Sequence, residues 1–102
     1  VLLPTGVRAR MDEGWVLLLY PRSGLGFKYR LQLNNTVGVI DSDYRGEIRV
    51  VLLNHGKEPQ TILSGERVAQ FIITPVLTPA YEEVPELSDT SRGTGGFGST
   101  GK

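Results

Sequence analysis

The chain has 102 residues, 39% of them hydrophobic and 22% charged, which suits one globular domain with a single core. Eleven basic residues balance eleven acidic ones, so there is no bulk attraction for nucleic acid or a membrane surface, and any anion must be met by a local cluster. With no cysteine and one histidine, His55, disulfides, thiolate catalysis and zinc sites rich in cysteine or histidine are excluded; no apolar run nears the roughly 18 residues of a membrane helix.

Taken from its start, the chain opens on LLPTGV, which reads as mid-strand, so an N-terminal portion is expected to be missing. Glycine and proline recur so often that the longest stretch free of both is 27–37, eleven residues, and long helices have little room. β-rich runs at 2–3, 15–20, 31–40, 48–53 and 68–77 predict short strands joined by turns, the pattern of a sandwich or barrel. In 48–53, Ile48, Val50 and Leu52 make one apolar face, and Val51 and Leu53 make the other apolar too. This strand is expected to become buried on both sides, a hint of subunit contacts.

PRSGLGFK, at 21–28, follows the apolar strand WVLLLY, whose Trp15 and Leu17, Leu18 and Leu19 read as core. Pro21 stops the strand, and Gly24 and Gly26 are read as letting the backbone turn tightly. Arg22, Ser23 and free N–H groups could then hold an anion, although an ordinary loop reads equally well. GVIDSDYRGEI, at 38–48, reads as the turn of a hairpin, with Asp41, Ser42, Asp43 and Gly46 between two β-forming runs. Turn chemistry alone explains these residues, and a catalytic carboxylate is the other reading. His55 reads as an exposed loop residue.

SGERVAQ, at 64–70, leads from a turn into VAQFIITPVL. Gln70 there either faces solvent or satisfies a specific partner, and Glu66 beside Arg67 reads as a surface or structural ion pair. After Pro85 the composition changes: 88–102 hold five of the thirteen glycines and one large apolar residue, Phe97, too little for a core, so this tail is expected to be mobile with nothing bound. Its end, GFGSTGK, matches most of a G-x-x-x-x-G-K loop without the strand and helix that such a loop needs. What survives is a glycine-rich strip of N–H donors, with Arg92, Ser99, Thr100 and Lys102 able to wrap a polyphosphate and one ring able to stack on a base.

In order along the chain, PRSGLGFK, NTVGVIDSDYRGEI, GERVAQ and RGTGGFGSTGK together resemble motifs two to five of the trimeric dUTPases, and LLPTGV resembles the strand that precedes motif two. The resemblance covers almost the whole chain. It implies an all-β jelly roll over 1–87 and a flexible glycine-rich arm over 88–102. It also implies a homotrimer whose three sites each draw residues from all three subunits, hydrolysing dUTP to dUMP and pyrophosphate. Asp41 would be the general base. Arg22, Ser23, Gly24 and Gln70 would contact phosphate oxygens, and Arg92, Ser99 and Thr100 would close over the distal phosphates. Asn35 and the backbone of Gly38, Val39 and Ile40 would meet the uracil, Tyr44 the deoxyribose, and Phe97 would stack on the base. Mg²⁺ would be held through the triphosphate with no protein metal site. Neither nucleic acid nor membrane is an expected partner, and the expected compartment is the cytoplasm.

Two departures stand out. The family's first motif, an Ala-Gly-x-Asp segment upstream of the PTG strand, is not in the chain, and Glu66 stands where many relatives have Asp. The other readings are a dCTP deaminase relative, which shares the fold, and a non-catalytic dUTPase-like binding or signalling module.

Overall fold

The computed structural model describes residues 1–101. Two three-stranded antiparallel sheets enclose the core. In one, β1 (Leu2–Pro4), β5 (Arg49–Asn54) and β3 (Leu31–Leu33) lie in the order β1-β5-β3; in the other, β4 (Gly38–Asp41), β2 (Trp15–Pro21) and β6 (Ala69–Pro75) lie in the order β4-β2-β6.

Alternation explains which side chains meet. Leu17 and Leu19 of β2 face Leu31 and Leu33 of β3 and Val50 and Leu52 of β5, with Ile48 completing one buried cluster. Each such side chain contributes about 1.5–3 kcal/mol by leaving water. The strand at 48–53 behaves differently from expectation: Val51 and Leu53 keep 38% and 39% of their surface exposed, because that face of the sheet is left partly uncovered by the described residues. Trp15, expected in the core, starts β2 at the sheet's end and is 43% exposed. The radius of gyration is 19.0 Å, against about 13 Å for a compact domain of this length. Residues 76–101 account for the excess, following β6 as an irregular and exposed extension in which only Gly95 and Gly96 are half-buried.

Three sequence expectations are corrected. The fold is mostly β rather than all-β, because 23–29 form a short helix, α1 (Ser23–Tyr29), after Pro21 ends β2. Arg22 sits at its N-cap in an extended conformation, and Arg30 closes it at φ 57°. Gly24 and Gly26 therefore lie inside a helix and not in a tight loop, each at a cost of about 1 kcal/mol relative to alanine. Leu25, packed against the core cluster, supplies the tertiary contact that offsets this.

The run at 31–40 is two strands in different sheets. Asn34–Asn35–Thr36 breaks it: Thr36 N–H donates to the Leu33 carbonyl at 3.0 Å, Val37 N–H to the Asn35 carbonyl at 2.7 Å, and Thr36 takes φ 63°. Asparagine in tandem is turn chemistry, and here it outweighs the flanking β-formers. Nor is 38–48 a hairpin. β4 pairs with β2, whereas β5 pairs with β1 and β3, so the intervening segment crosses from one sheet to the other. The PTG turn anchors its far end: Thr5 Oγ1 donates to the Ile48 carbonyl, and Ile48 N–H donates to the Val7 carbonyl at 2.8 Å.

Candidate active site

β4 is an edge strand, paired with β2 on one side only, so its other edge presents backbone N–H and C=O groups. A cleft of about 290 Å³ lies along it, walled by Asn34, Asn35, Gly38, Val39 and Ile40 and by Arg49 and Val51 of β5. A second cleft of about 240 Å³ adjoins it, sharing Val39, Ile40 and Arg49 and adding Asp41, Tyr44 and Glu47. All six residues assigned to base, sugar and catalysis in this segment therefore line one continuous surface. Arg49, which brings a cation to both clefts, was missed from the sequence. Its only signal was a charge at the head of an otherwise apolar strand.

Two glycines shape this surface in ways the sequence did not reveal. Gly38 is opposite Leu19 in the β2–β4 ladder, and a Cβ built on it would lie 3.1 Å from Leu19 Cβ. Its missing side chain makes room for a core leucine. At Gly46 a Cβ would fall within the space of the Tyr44 ring, 2.5 Å from Cζ and 2.8 Å from Cε1, so only glycine lets the ring lie where it does. The Tyr44 hydroxyl donates to the Glu47 carbonyl at 2.8 Å, and Tyr44 N–H donates to the Asp41 carbonyl at 3.2 Å. The turn thereby fixes the ring relative to the backbone of Asp41. Arg45, with Nη1 donating to the Ser42 carbonyl at 2.7 Å, braces the same turn. The Asp41 side chain is exposed and opens to solvent.

A second group forms at the other end of β2. The β2–β6 ladder aligns Tyr20 with Gln70 and Pro21 with Ala69. Gln70 Nε2 donates to the Pro21 carbonyl at 2.9 Å, and Arg22 Nη1 donates to the Arg67 carbonyl at 2.9 Å. Gln70, left open between solvent and partner, thus has a partner while staying exposed. These bonds tie the start of β6 to the end of β2, where Arg22, Ser23 and Gly24 follow in the chain, and the N–H groups that open α1 lack intrahelical acceptors.

The two groups do not meet within the chain. Asp41 pairs with Val16 and Gln70 with Tyr20; the strand from Val16 to Pro21 spans about 17 Å. Arg92, Ser99 and Thr100, the third group, lie in the tail and line neither of these clefts. Arg92 Nε donates to the Gly95 carbonyl at 2.7 Å, and Ser99 N–H donates to the Gly96 carbonyl at 3.0 Å, turning the tail back on itself. Gly95 has room for no Cβ without crowding Ser99 Oγ and the Arg92 carbonyl, both at 3.2 Å. Phe97 is fully exposed, at φ 53°. Lys102 lies outside the described residues. His55 lies apart from all three groups, exposed, with its N–H donating to the Arg30 carbonyl. Among the described residues, no three His, Asp or Glu side chains cluster as a metal site, and no helix is long and apolar enough to cross a membrane.

Comparison with known proteins covers the same ground. The dUTPase family profile matches residues 1–101. A deoxyuridine 5'-triphosphate nucleotidohydrolase of Nautilia profundicola is 52% identical over 99% of this chain and 71% of its own length. Proteins of that name from Rhizobium rhizogenes and Hahella chejuensis are 50% and 52% identical, over 98% of this chain in each case and 64% and 66% of their own lengths. The chain therefore spans about two thirds of the length of these relatives. Among solved structures, a mutant Staphylococcus bacteriophage 80alpha dUTPase with dUpNHpp superposes with a TM-score of 0.86 at 28% identity, covering 100% of this chain and 80% of that one. The Streptococcus mutans dUTPase does so with a TM-score of 0.74 at 40% identity, over 79% of this chain and 68% of its own. With the profile matched almost from end to end and half the residues identical to those of named relatives, the chain belongs to the dUTPase family.

Proposed function

We propose that the protein hydrolyses dUTP to dUMP and pyrophosphate in the trimeric manner of its family. The observation that carries the reading is the continuous wall from Asn35 to Tyr44, in which a free strand edge, a carboxylate and an aromatic ring line two adjoining clefts. Uracil offers two carbonyls and an N–H in one plane, and the edge of β4 offers the complementary backbone groups beside the Asn35 amide. A close fit around the base would leave little space for a 5-methyl group, and the Tyr44 ring set under the deoxyribose would leave none for a 2′-hydroxyl.

Mg²⁺ would be held mainly through the phosphates of dUTP, because it retains much of its water, and would offset their charge. Asp41, exposed to solvent, accepts a proton from a water placed in line with the α-phosphorus. The water oxygen bonds to phosphorus, the bond to the bridging oxygen breaks, and pyrophosphate departs. General-base assistance of this kind is worth about 10²–10⁴ in rate. Arg22, Ser23, Gly24 and Gln70 bind phosphate oxygens, and the arm at 88–102 closes over the site with Arg92, Ser99 and Thr100 on the distal phosphates and Phe97 on the uracil.

The separation of Asp41 from Arg22 along β2 supports a site assembled between subunits, with a jelly-roll body at 1–87 completed in a homotrimer. The exposed apolar side chains of β6, Phe71, Ile72 and Ile73, suit burial in that assembly. The cytoplasm is the compartment we assign.

The test is pyrophosphate release from dUTP with Mg²⁺, run beside dTTP, UTP and dCTP. Selective turnover of dUTP, lost in Asp41→Asn while nucleotide still binds, is expected. Ammonia release from dCTP would move the protein to the deaminase reading, and nucleotide binding without turnover would make it a binding module.

A further inference from the structure

We propose that Glu66 is a positioning residue for the Arg22 guanidinium, acting through the turn 63–66 and the Arg67 carbonyl; this rests on Arg22 being a phosphate contact, as read above. The turn is a bight between two anchors, Ile62 and Val68, both partly buried against the core cluster. No hydrophobic contact holds the bight itself, since Leu63 is 63% exposed. Its shape comes from polar bonds. Glu66 N–H donates to the Leu63 carbonyl at 3.1 Å, with Gly65 at φ 86° as a turn of this type needs. The Glu66 carboxylate then accepts the Leu63 N–H through Oε2 at 3.0 Å, a charge-assisted bond that closes the turn from its second side.

The next residue is the one Arg22 uses. Arg22 Nη1 donates to the Arg67 carbonyl at 2.9 Å, which engages one of five guanidinium donors and sets the plane of the rest. Arg22, Gly65, Glu66 and Arg67 line one cleft of about 440 Å³, and the path runs from Leu63 to the Glu66 carboxylate by a hydrogen bond, to Arg67 along the chain, and to Arg22 by a second hydrogen bond. Without the carboxylate the bight loses one of its two closures, the Arg67 carbonyl wanders, and the guanidinium must be ordered when the phosphates arrive.

The experiment is calorimetric binding of Mg²⁺–dUpNHpp and of deoxyuridine, which has no phosphate, to the wild type, Arg22→Ala, Glu66→Ala, Glu66→Gln and the Arg22→Ala/Glu66→Ala double variant. Glu66→Ala should weaken the triphosphate analogue roughly fivefold to tenfold and leave deoxyuridine unchanged. Glu66→Gln keeps an acceptor oxygen and should stay within about twofold. In the Arg22→Ala background, Glu66→Ala should add less than about twofold. Equal losses in both backgrounds, or a parallel loss of deoxyuridine binding, would overturn the positioning role while leaving Arg22 on the phosphates. An Arg22→Ala variant whose preference for the triphosphate is unchanged would instead overturn the phosphate reading and this inference with it. Should Glu66→Ala fail to assemble, Glu66→Ser carries the same expectations.

Discussion

Asp41 and Arg22 sit at opposite ends of β2, and that separation makes a quantitative prediction about mixed assemblies. Asp41 is opposite Val16, while Arg22 follows directly on Pro21, so about 17 Å of strand lies between the two groups. If the base and the phosphate contact of one site come from different protomers, Asp41→Asn and Arg22→Ala chains complement each other. In a 1:1 co-assembly each site takes its base from one protomer and its arginine from the neighbour. The chance that both are intact is one half times one half, so about a quarter of wild-type turnover should return. A second mixture sharpens the test. Wild type co-assembled 1:1 with the Asp41→Asn/Arg22→Ala double variant should also give about a quarter. Were each site contained in one chain, the first mixture would give no more than its parents and the second about one half. Co-expression at equal levels, followed by pyrophosphate release from dUTP on the unfractionated statistical mixture, separates these cases. The pair of values zero and one half would refute the shared site.

Other perturbations follow from individual contacts. Gly46→Ala drives a methyl into the Tyr44 ring, so it should raise UTP turnover relative to dUTP by roughly 10- to 100-fold; steady-state kinetics with both substrates checks this, and unchanged selectivity would remove Tyr44 as the sugar gate. Phe97 is fully exposed, so Phe97→Ala should leave the melting temperature alone while weakening dUpNHpp by about 1–3 kcal/mol, the usual worth of a stacked base. Leu17, 1% exposed at the centre of the core cluster, should cost about 2–5 kcal/mol on truncation to alanine, read as a lower melting temperature or denaturant midpoint.

What could be read from the sequence was the chemistry and its order, not the path of the backbone between motifs. β2 and β5 announced themselves by apolar runs, Asp41, Tyr44 and Gln70 stood out as polar or aromatic groups beside β-formers, and Asn35 was singled out only through the family resemblance. Elsewhere the deciding term was tertiary. Two glycines in SGLGFKY argue against a helix by propensity, yet Leu25 on the core and the left-handed stop at Arg30 make one. Two sheets instead of a hairpin follow from pairings far apart in sequence, Gly38 with Leu19 and Arg49 with Pro4, which no local pattern encodes. Gly38 and Gly46 had visible identities but hidden reasons: one yields to a leucine on another strand, the other to a ring two residues away.

The same logic connects the arm, the open apolar surface and the divided site. An edge strand such as β6, with Phe71, Ile72 and Ile73 half-exposed and no charge between Ala69 and Pro75, is the kind of surface that monomers protect with charge or proline. Its one proline, Pro75, follows the apolar run. Burial of that strand against another copy would remove the liability and, in the composite site proposed above, would bring a foreign Arg22, Ser23 and Gln70 within range, because these residues sit at the start of β6 and the end of its partner β2. Assembly and catalysis then depend on one set of contacts. A charge placed at the centre of β6, Ile72→Lys, should therefore abolish turnover and shift the sedimentation coefficient to that of a single chain together, although Ile72 touches no substrate. Turnover surviving in a monomer would separate the two and defeat the composite site.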